Sequence, residues 1–179
     1  MGRNAARRSF LPSCTLGKPL DIFDRELTAL LPRLRRFGHA LARSGADADD
    51  LAQGAVERML RARDQWQPGT RFDAWAFRIM RNLWIDTVRA RARLAARSAP
   101  EADGLTVGED PREQLEARSE LALLMRALAQ LPDEQREVIA LVTIEGLGYA
   151  EAAAVLELPV GTISSRMLRG RQALVKLLG

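Results

Sequence analysis

Arg78, Asn82 and Arg89 are spaced four and seven residues apart, which on a helix of 100° per residue places them within about 40° of one another. Two cations and an amide then share one exposed stripe. The opposite arc, about 200° wide on the same geometry, holds Trp75, Ala76, Phe77, Ile79, Met80, Leu83 and Trp84. Trp66 and Phe72 stand beside this helix, on or next to the loop Gln65-Trp66-Gln67-Pro68-Gly69-Thr70. Rings beside a cationic groove suit single-stranded nucleic acid, whose bases stack on aromatic faces and whose phosphates pair with Arg. Most aromatics at helical spacing belong to a core, so Trp75 and Phe77 are expected to be buried and Trp66 to be the exposed ring.

A second set lies near the C-terminus. Ser165, Arg169, Gln172 and Lys176 fall within an arc of about 60° on a helix, and Ile163, Met167, Leu174 and Leu178 fall within another of similar width. Thr162 and Arg166 lie between the two. The last acid of the chain is Glu157, so this helix is purely cationic. It is preceded by a short Ala-rich helix, Tyr149 to Leu156, and the turn Glu157-Leu158-Pro159-Val160-Gly161, with Thr162 placed to cap the final helix. A short helix, a Pro/Gly turn and a longer basic helix make a helix-turn-helix, which presents its second helix to a major groove.

The elements that must carry these residues are all helical. Ile22 to Leu41 reads as one helix, perturbed at Pro32. Asp47 to Arg63 reads as a second, with Asp47 as its cap, Asp49 and Asp50 suiting its positive end, and Leu51, Ala55 and Met59 as its apolar stripe. Gly54 in its interior costs about 1 kcal/mol relative to Ala. A third runs from Phe72 to about Ala92, and Leu131-Pro132-Asp133-Glu134 marks the start of another. Between the two Ala/Leu/Arg-rich blocks lies a segment poor in large apolar groups, with Pro100, Glu101, Asp103, Gly104, Glu109 and Asp110, a linker composition. The fold class is therefore all-α, with two small helical domains joined by a flexible acidic linker. The expected boundaries are a basic extension over 1–20, a first domain over 21–94, a linker over 95–116 and a helix-turn-helix domain over 117–179.

Composition excludes much else. The 179 residues are 47% hydrophobic, enough for a core, and carry 27 Lys plus Arg against 23 Asp plus Glu. A basic end on an otherwise near-neutral chain suits a polyanion partner. One Cys (Cys14) and one His (His39) assemble neither a disulfide nor a Cys/His metal site. There is no phosphate-binding glycine loop, no nucleophile elbow and no H-E-x-x-H, so no catalytic residue, metal or cofactor is expected and the chain does not read as an enzyme. No apolar run approaches the roughly 20 residues that span a bilayer, and Pro12, Gly17, Lys18 and Pro19 interrupt any leader-like run. The expected location is the cytoplasm, without membrane insertion.

Four stretches together resemble the bacterial extracytoplasmic-function (ECF) sigma factors, promoter-recognition subunits of RNA polymerase within the sigma-70 family. Asp47-Ala48-Asp49-Asp50-Leu51-Ala52-Gln53 is similar to the family's polymerase-binding motif, and Phe72 to Leu83 to the segment that melts and reads the minus-ten element. Leu131-Pro132 with Arg136 and Val138, and then Gly161-Thr162-Ile163-Ser164-Ser165-Arg166, resemble the domain that reads the minus-thirty-five element. The resemblance implies that Asp49, Asp50, Leu51 and Gln53 bind core RNA polymerase. It implies that Trp66, Arg71, Arg78, Asn82 and Arg89 bind minus-ten DNA, with a flipped base entering between the 65–71 loop and Asn82. Thr162, Ser165, Arg166 and Arg169 would meet minus-thirty-five duplex. Core RNA polymerase, promoter DNA and an anti-sigma factor are the implied partners. Gly54 stands where the family usually has an acid, and Ser164 where Lys or Arg is frequent. The competing reading is a sigma-like module that titrates an anti-sigma factor without binding DNA; such a mimic should lose Arg78, Asn82, Arg166 and Arg169, all kept here.

Overall fold

A computed structural model describes residues 21–42, 44–97 and 120–179; the expectations for the 1–20 extension and for 98–116 of the acidic linker lie outside the described residues, and 95–97, expected to open that linker, are helical. Helix α1 (Ile22–Leu41) starts where Asp21 Oδ1 accepts the Asp24 N–H at 2.9 Å, satisfying one of the unpaired donors of a helix start. Phe23, Leu27, Leu30, Leu34, Phe37 and Leu41 recur on its buried face. Pro32 sits inside it on the exposed side, where the missing N–H costs one ladder bond without exposing a buried carbonyl.

Helix α2 (Gly45–Arg61) begins two residues before the expected Asp47, because Ser44 takes the cap and its Oγ accepts the Asp47 N–H at 3.2 Å. Asp47, freed from capping, reaches across to Arg91. Gly54 faces helix α3 (Phe72–Arg97): a Cβ there would stand 3.0 Å from Leu83 Cδ2. The close approach of two helices accounts for a residue that propensity alone disfavours. A 3-10 turn, Arg63–Gln65, leads into the loop before α3. Helix α3 extends past the expected end near Ala92 to Arg97.

The second half contains α4 (Glu120–Gln130), α5 (Asp133–Ile139) and a π-helical turn Ala140–Ile144 that continues it. Gly146 at φ 74° ends this unit, letting the Leu147 N–H reach the Leu141 carbonyl at 3.0 Å, a left-handed stop that glycine adopts without a Cβ penalty. Helix α6 (Tyr149–Leu156) is capped by Glu151, whose Oε2 accepts the Gly148 N–H at 2.7 Å. Helix α7 (Val160–Leu178) starts after Pro159. Thr162, expected to cap it, lies inside its first turn, because Pro159 with φ near −60° already sets the start of the helix.

The first three helices pack on one another, and α4, α5 and α6 pack on α7. The two halves also pack together: α6 lies on α3, while α4, α5 and the π turn lie on α1. Buried apolar side chains from both halves form one continuous core, in which each large aliphatic or aromatic group contributes about 1.5–3 kcal/mol relative to exposure. The two domains therefore occupy one defined arrangement here. Among the described residues, no helix is long and apolar enough to cross a membrane.

Candidate nucleic-acid interface

The end of α2, the loop and α3 enclose a shallow cleft lined by Arg58, Arg61, Ala62, Gln65, Trp75, Arg78, Ile79 and Asn82. Helix α3 supplies Trp75, Arg78, Ile79 and Asn82 from one side because they recur every three or four residues. Three guanidiniums, two amides and one half-buried ring thus meet at one surface. The ring can stack a base, the amides can donate and accept at its edge, and the cations can hold the flanking phosphates.

The ring at this cleft differs from the one expected. Trp66 is only 8% exposed, so the expectation that it is the exposed aromatic is corrected. It packs edge-on against Phe23 at 6.0 Å and Phe72 at 5.1 Å, in a cluster whose hydrophobic area turns the loop inward. Its indole N–H is buried without a protein partner. Trp75 touches the same cluster, 6.0 Å from Phe23, yet stays half-buried and lines the cleft.

Arg78, Asn82 and Arg89 are all exposed, on the stripe their spacing describes. Arg89 is three turns from Arg78, roughly 16 Å along the axis, and does not line the cleft. Arg71 stands just before α3 and is held by Asp73 through Nε to Oδ1 at 3.1 Å and Nη2 to Oδ2 at 2.8 Å. This paired bond keeps the Asp73 carboxyl below its ordinary pKa and raises the Arg71 guanidinium. Both Arg71 and Arg78 also meet α6. Arg71 pairs with Glu151; Arg78 donates to the Ala154 carbonyl at 3.0 Å and lies 3.7 Å from Glu157.

On α2, Asp49, Asp50 and Gln53 are exposed, and Gln53 donates to Glu57 at 3.3 Å. Leu51 is a core residue, so its expected role as an outward contact is corrected: its arc faces the other helices. The apolar groups on the outer face are instead Val56, half-buried, and Leu60, 48% exposed. With Asp49 and Gln53 they form a stripe about 60° wide. Counting from Gln53 by three and seven residues would have found both.

In the helix-turn-helix, Ile163 and Met167 are buried and Gly170 lies against Ile139. Leu174 is half-buried and Leu178 exposed, so the buried stripe fades toward the C-terminus. Ser165, Arg169, Gln172 and Lys176 are exposed together, while Thr162 is half-buried. Ser165 Oγ donates to the Thr162 carbonyl at 3.0 Å. Arg166 is half-buried and tied to Glu134 of α5 at 2.7 Å. Among the described residues, no group of His, Cys, Asp and Glu is arranged to hold a metal ion.

Two family models match the chain: Sigma-70 region 2 over residues 27–94 and Sigma-70, region 4 over residues 121–174. The ECF RNA polymerase sigma factor SigE of Mycolicibacterium smegmatis is 42% identical over 144 residues, covering 79% of this chain but 56% of that protein. The ECF RNA polymerase sigma factor EcfG of Rhodopseudomonas palustris is 38% identical over 161 residues, covering 88% of this chain and 86% of that one. Among solved structures, the sigma factor RpoE of Bartonella quintana, in complex with the anti-sigma factor NepR, superposes with a TM-score of 0.74 at 31% identity. That match covers 87% of this chain and 96% of RpoE.

Proposed function

The chain belongs to the ECF sigma factors of the sigma-70 family, and we propose from this that it binds core RNA polymerase, recognises a promoter through two separate elements and opens the duplex between them. The observation that carries this reading is the cleft that joins Trp75, Asn82 and Gln65 to Arg58, Arg61 and Arg78. A base flipped out of a melted strand finds there a stacking ring, a hydrogen-bonding amide and cations for its phosphates. Arg71 and Arg89 extend the cationic path on either side.

Asp49, Asp50 and Gln53 supply the polar part of the polymerase contact, with Val56 and Leu60 as its apolar centre. Thr162, Ser165, Arg166 and Arg169 face the minus-thirty-five duplex, Ser165 and Arg169 from the most exposed arc. The working domains are 21–94 and 117–179, joined through the end of α3 and the residues that follow it to 116. The protein acts in the cytoplasm, where its polymerase is, and catalyses nothing itself. The likeness to RpoE, solved with its anti-sigma factor, supports control by an inhibitor of that kind.

The test mixes the purified protein with sigma-free core polymerase and genomic promoter fragments and maps transcription starts. Starts that depend on the protein are expected. Their absence with active core and folded protein would leave the anti-sigma-titrating module as the better reading.

A further inference from the structure

Arg71 and Arg78 are the two cations of the minus-ten surface that face α6, and both are engaged by it. Arg78 donates to the carbonyl of Ala154, in the last turn of α6, and approaches Glu157 at the end of that helix. The last carbonyls of a helix lack intrahelical partners and carry its negative dipole end, so Arg78 serves as their cap. Arg71 pairs with Glu151 at the other end of the same helix. Farther along α3, Arg81 Nε binds Glu137 Oε2 at 3.1 Å, and the Arg136 guanidinium lies 5.6 Å above the ring of Trp84. Two of the first half's phosphate-facing cations, Arg71 and Arg78, are thus engaged by the second half, whereas Arg58 and Arg61 pair with Asp86 and Glu57 of their own half. The exposed arc of α7, with Ser165 and Arg169, is not part of this contact.

Resting on the functional reading above, we propose that this arrangement is a self-blocked state, in which α6 and a melted DNA strand compete for Arg71 and Arg78. The Arg78 donor given to the Ala154 carbonyl is not available to a phosphate, and the carboxylates of Glu151 and Glu157 beside the two guanidiniums repel one. The blockade is one-sided. It occupies the single-strand surface and leaves the duplex-reading helix open, so the free protein can meet minus-thirty-five duplex before its minus-ten surface is released.

The test removes the competing charges without disturbing α6. In Glu151→Gln the amide oxygen still accepts the Gly148 N–H, as Gln does in a capping box. Glu157 has φ 55°, a left-handed position that Asn tolerates well, so Glu157→Asn removes charge while fitting the turn. A control of equal net charge carries Glu26→Gln and Glu120→Gln, exposed positions away from the contact. Each protein is titrated against fluorescein-labelled oligothymidylate and against a random-sequence duplex. The Glu151→Gln/Glu157→Asn protein is expected to bind the single strand roughly 5-fold more tightly than wild type, on the scale of two part-exposed ion pairs. Its duplex affinity should match the control. Glu151→Gln alone, which leaves the turn untouched, should give roughly a 2-fold gain. An unchanged single-strand affinity, or an equal gain in the control, overturns the proposal. Wild type run in parallel with core polymerase separates the two readings: starts without a gain in the variant remove only the self-blocked state, and a gain without starts removes only the sigma reading.

Discussion

Arg33 binds Glu145 twice, with Nε 3.0 Å from Oε2 and Nη2 3.0 Å from the backbone carbonyl, across 112 positions of sequence. The Glu145 side chain is fully buried; Arg36 Nη2 donates to the same Oε2 at 3.5 Å, and Arg36 Nε lies 3.4 Å from the other oxygen as an ion-pair contact. Arg33 also reaches Asp73, which holds Arg71, which meets Glu151. A chain of alternating charge therefore crosses the contact between the halves.

Glu145→Ala is expected to destabilise the protein by about 1–3 kcal/mol, less than for a wholly buried pair because Arg33 remains partly solvated. Two guanidiniums would then face each other without their shared carboxylate. Urea unfolding checks this, and an unchanged midpoint would show that the Glu145 carboxylate adds nothing net to stability.

Trp66→Ala should cost about 3–5 kcal/mol of stability, as for a large buried aromatic. Trp75→Ala should instead weaken oligothymidylate binding by about 1–3 kcal/mol, the range for a stacking ring. Thermal melts and binding titrations on both variants distinguish the roles; the reverse pattern would return Trp66 to the interface.

Asp49→Arg is expected to abolish co-purification with core polymerase while changing stability by less than about 0.5 kcal/mol, as for an exposed position. Asp50 is close enough to Arg91 to feel its charge, so reversal at 49 is the cleaner test. Normal recovery of the polymerase complex would remove the acidic start of α2 from that contact.

Arg166→Ala should reduce affinity for the minus-thirty-five duplex by about 1–3 kcal/mol and relax sequence preference at one base pair. Arg169→Ala, if its contact is to phosphate, should weaken all duplexes alike and lower the salt slope by about 1. Titrations at several salt concentrations decide between base and backbone contact for each.

Stability should respond to pH from both sides. Asp47 and Asp73 are held below the ordinary 3.8 by hydrogen bonds from Arg91 and Arg71. Their stabilisation is present above 3.8 and is lost as pH falls through the depressed values. Burial pushes Glu137 above its ordinary 4.5, against the pull of Arg81. The folded state then holds the proton more tightly, so this group's contribution declines as pH rises from 4.5 through the raised value. Glu137→Gln should flatten that decline and leave the acid limb intact. Urea midpoints across both ranges measure it, and an unaltered slope above 4.5 would show that Glu137 is not the group responsible.

The helices, the helix-turn-helix and the exposed stripe of Arg78, Asn82 and Arg89 were legible in the sequence because helical periodicity is local: spacing alone sets which side chains share a face. The basic character of α7 was legible for the same reason. Cap choice was less so, since Ser44 and Asp47 are both good capping residues and only the reach of Arg91 draws Asp47 away. Periodicity also does not say which face a neighbour will cover. Leu51 and Leu60 are both apolar positions on α2, and only the placement of α1 and α3 put the first in the core and the second outside. Trp66 and Trp75 could each have been the exposed ring until the cluster around Phe23 and Phe72 drew one of them in. The engagement of Arg71 and Arg78 by α6, and the burial of Glu145 between Arg33 and Arg36, join residues far apart along the chain. Their partners were settled by how the two halves pack, because the free energy of a charge depends on what surrounds it in space.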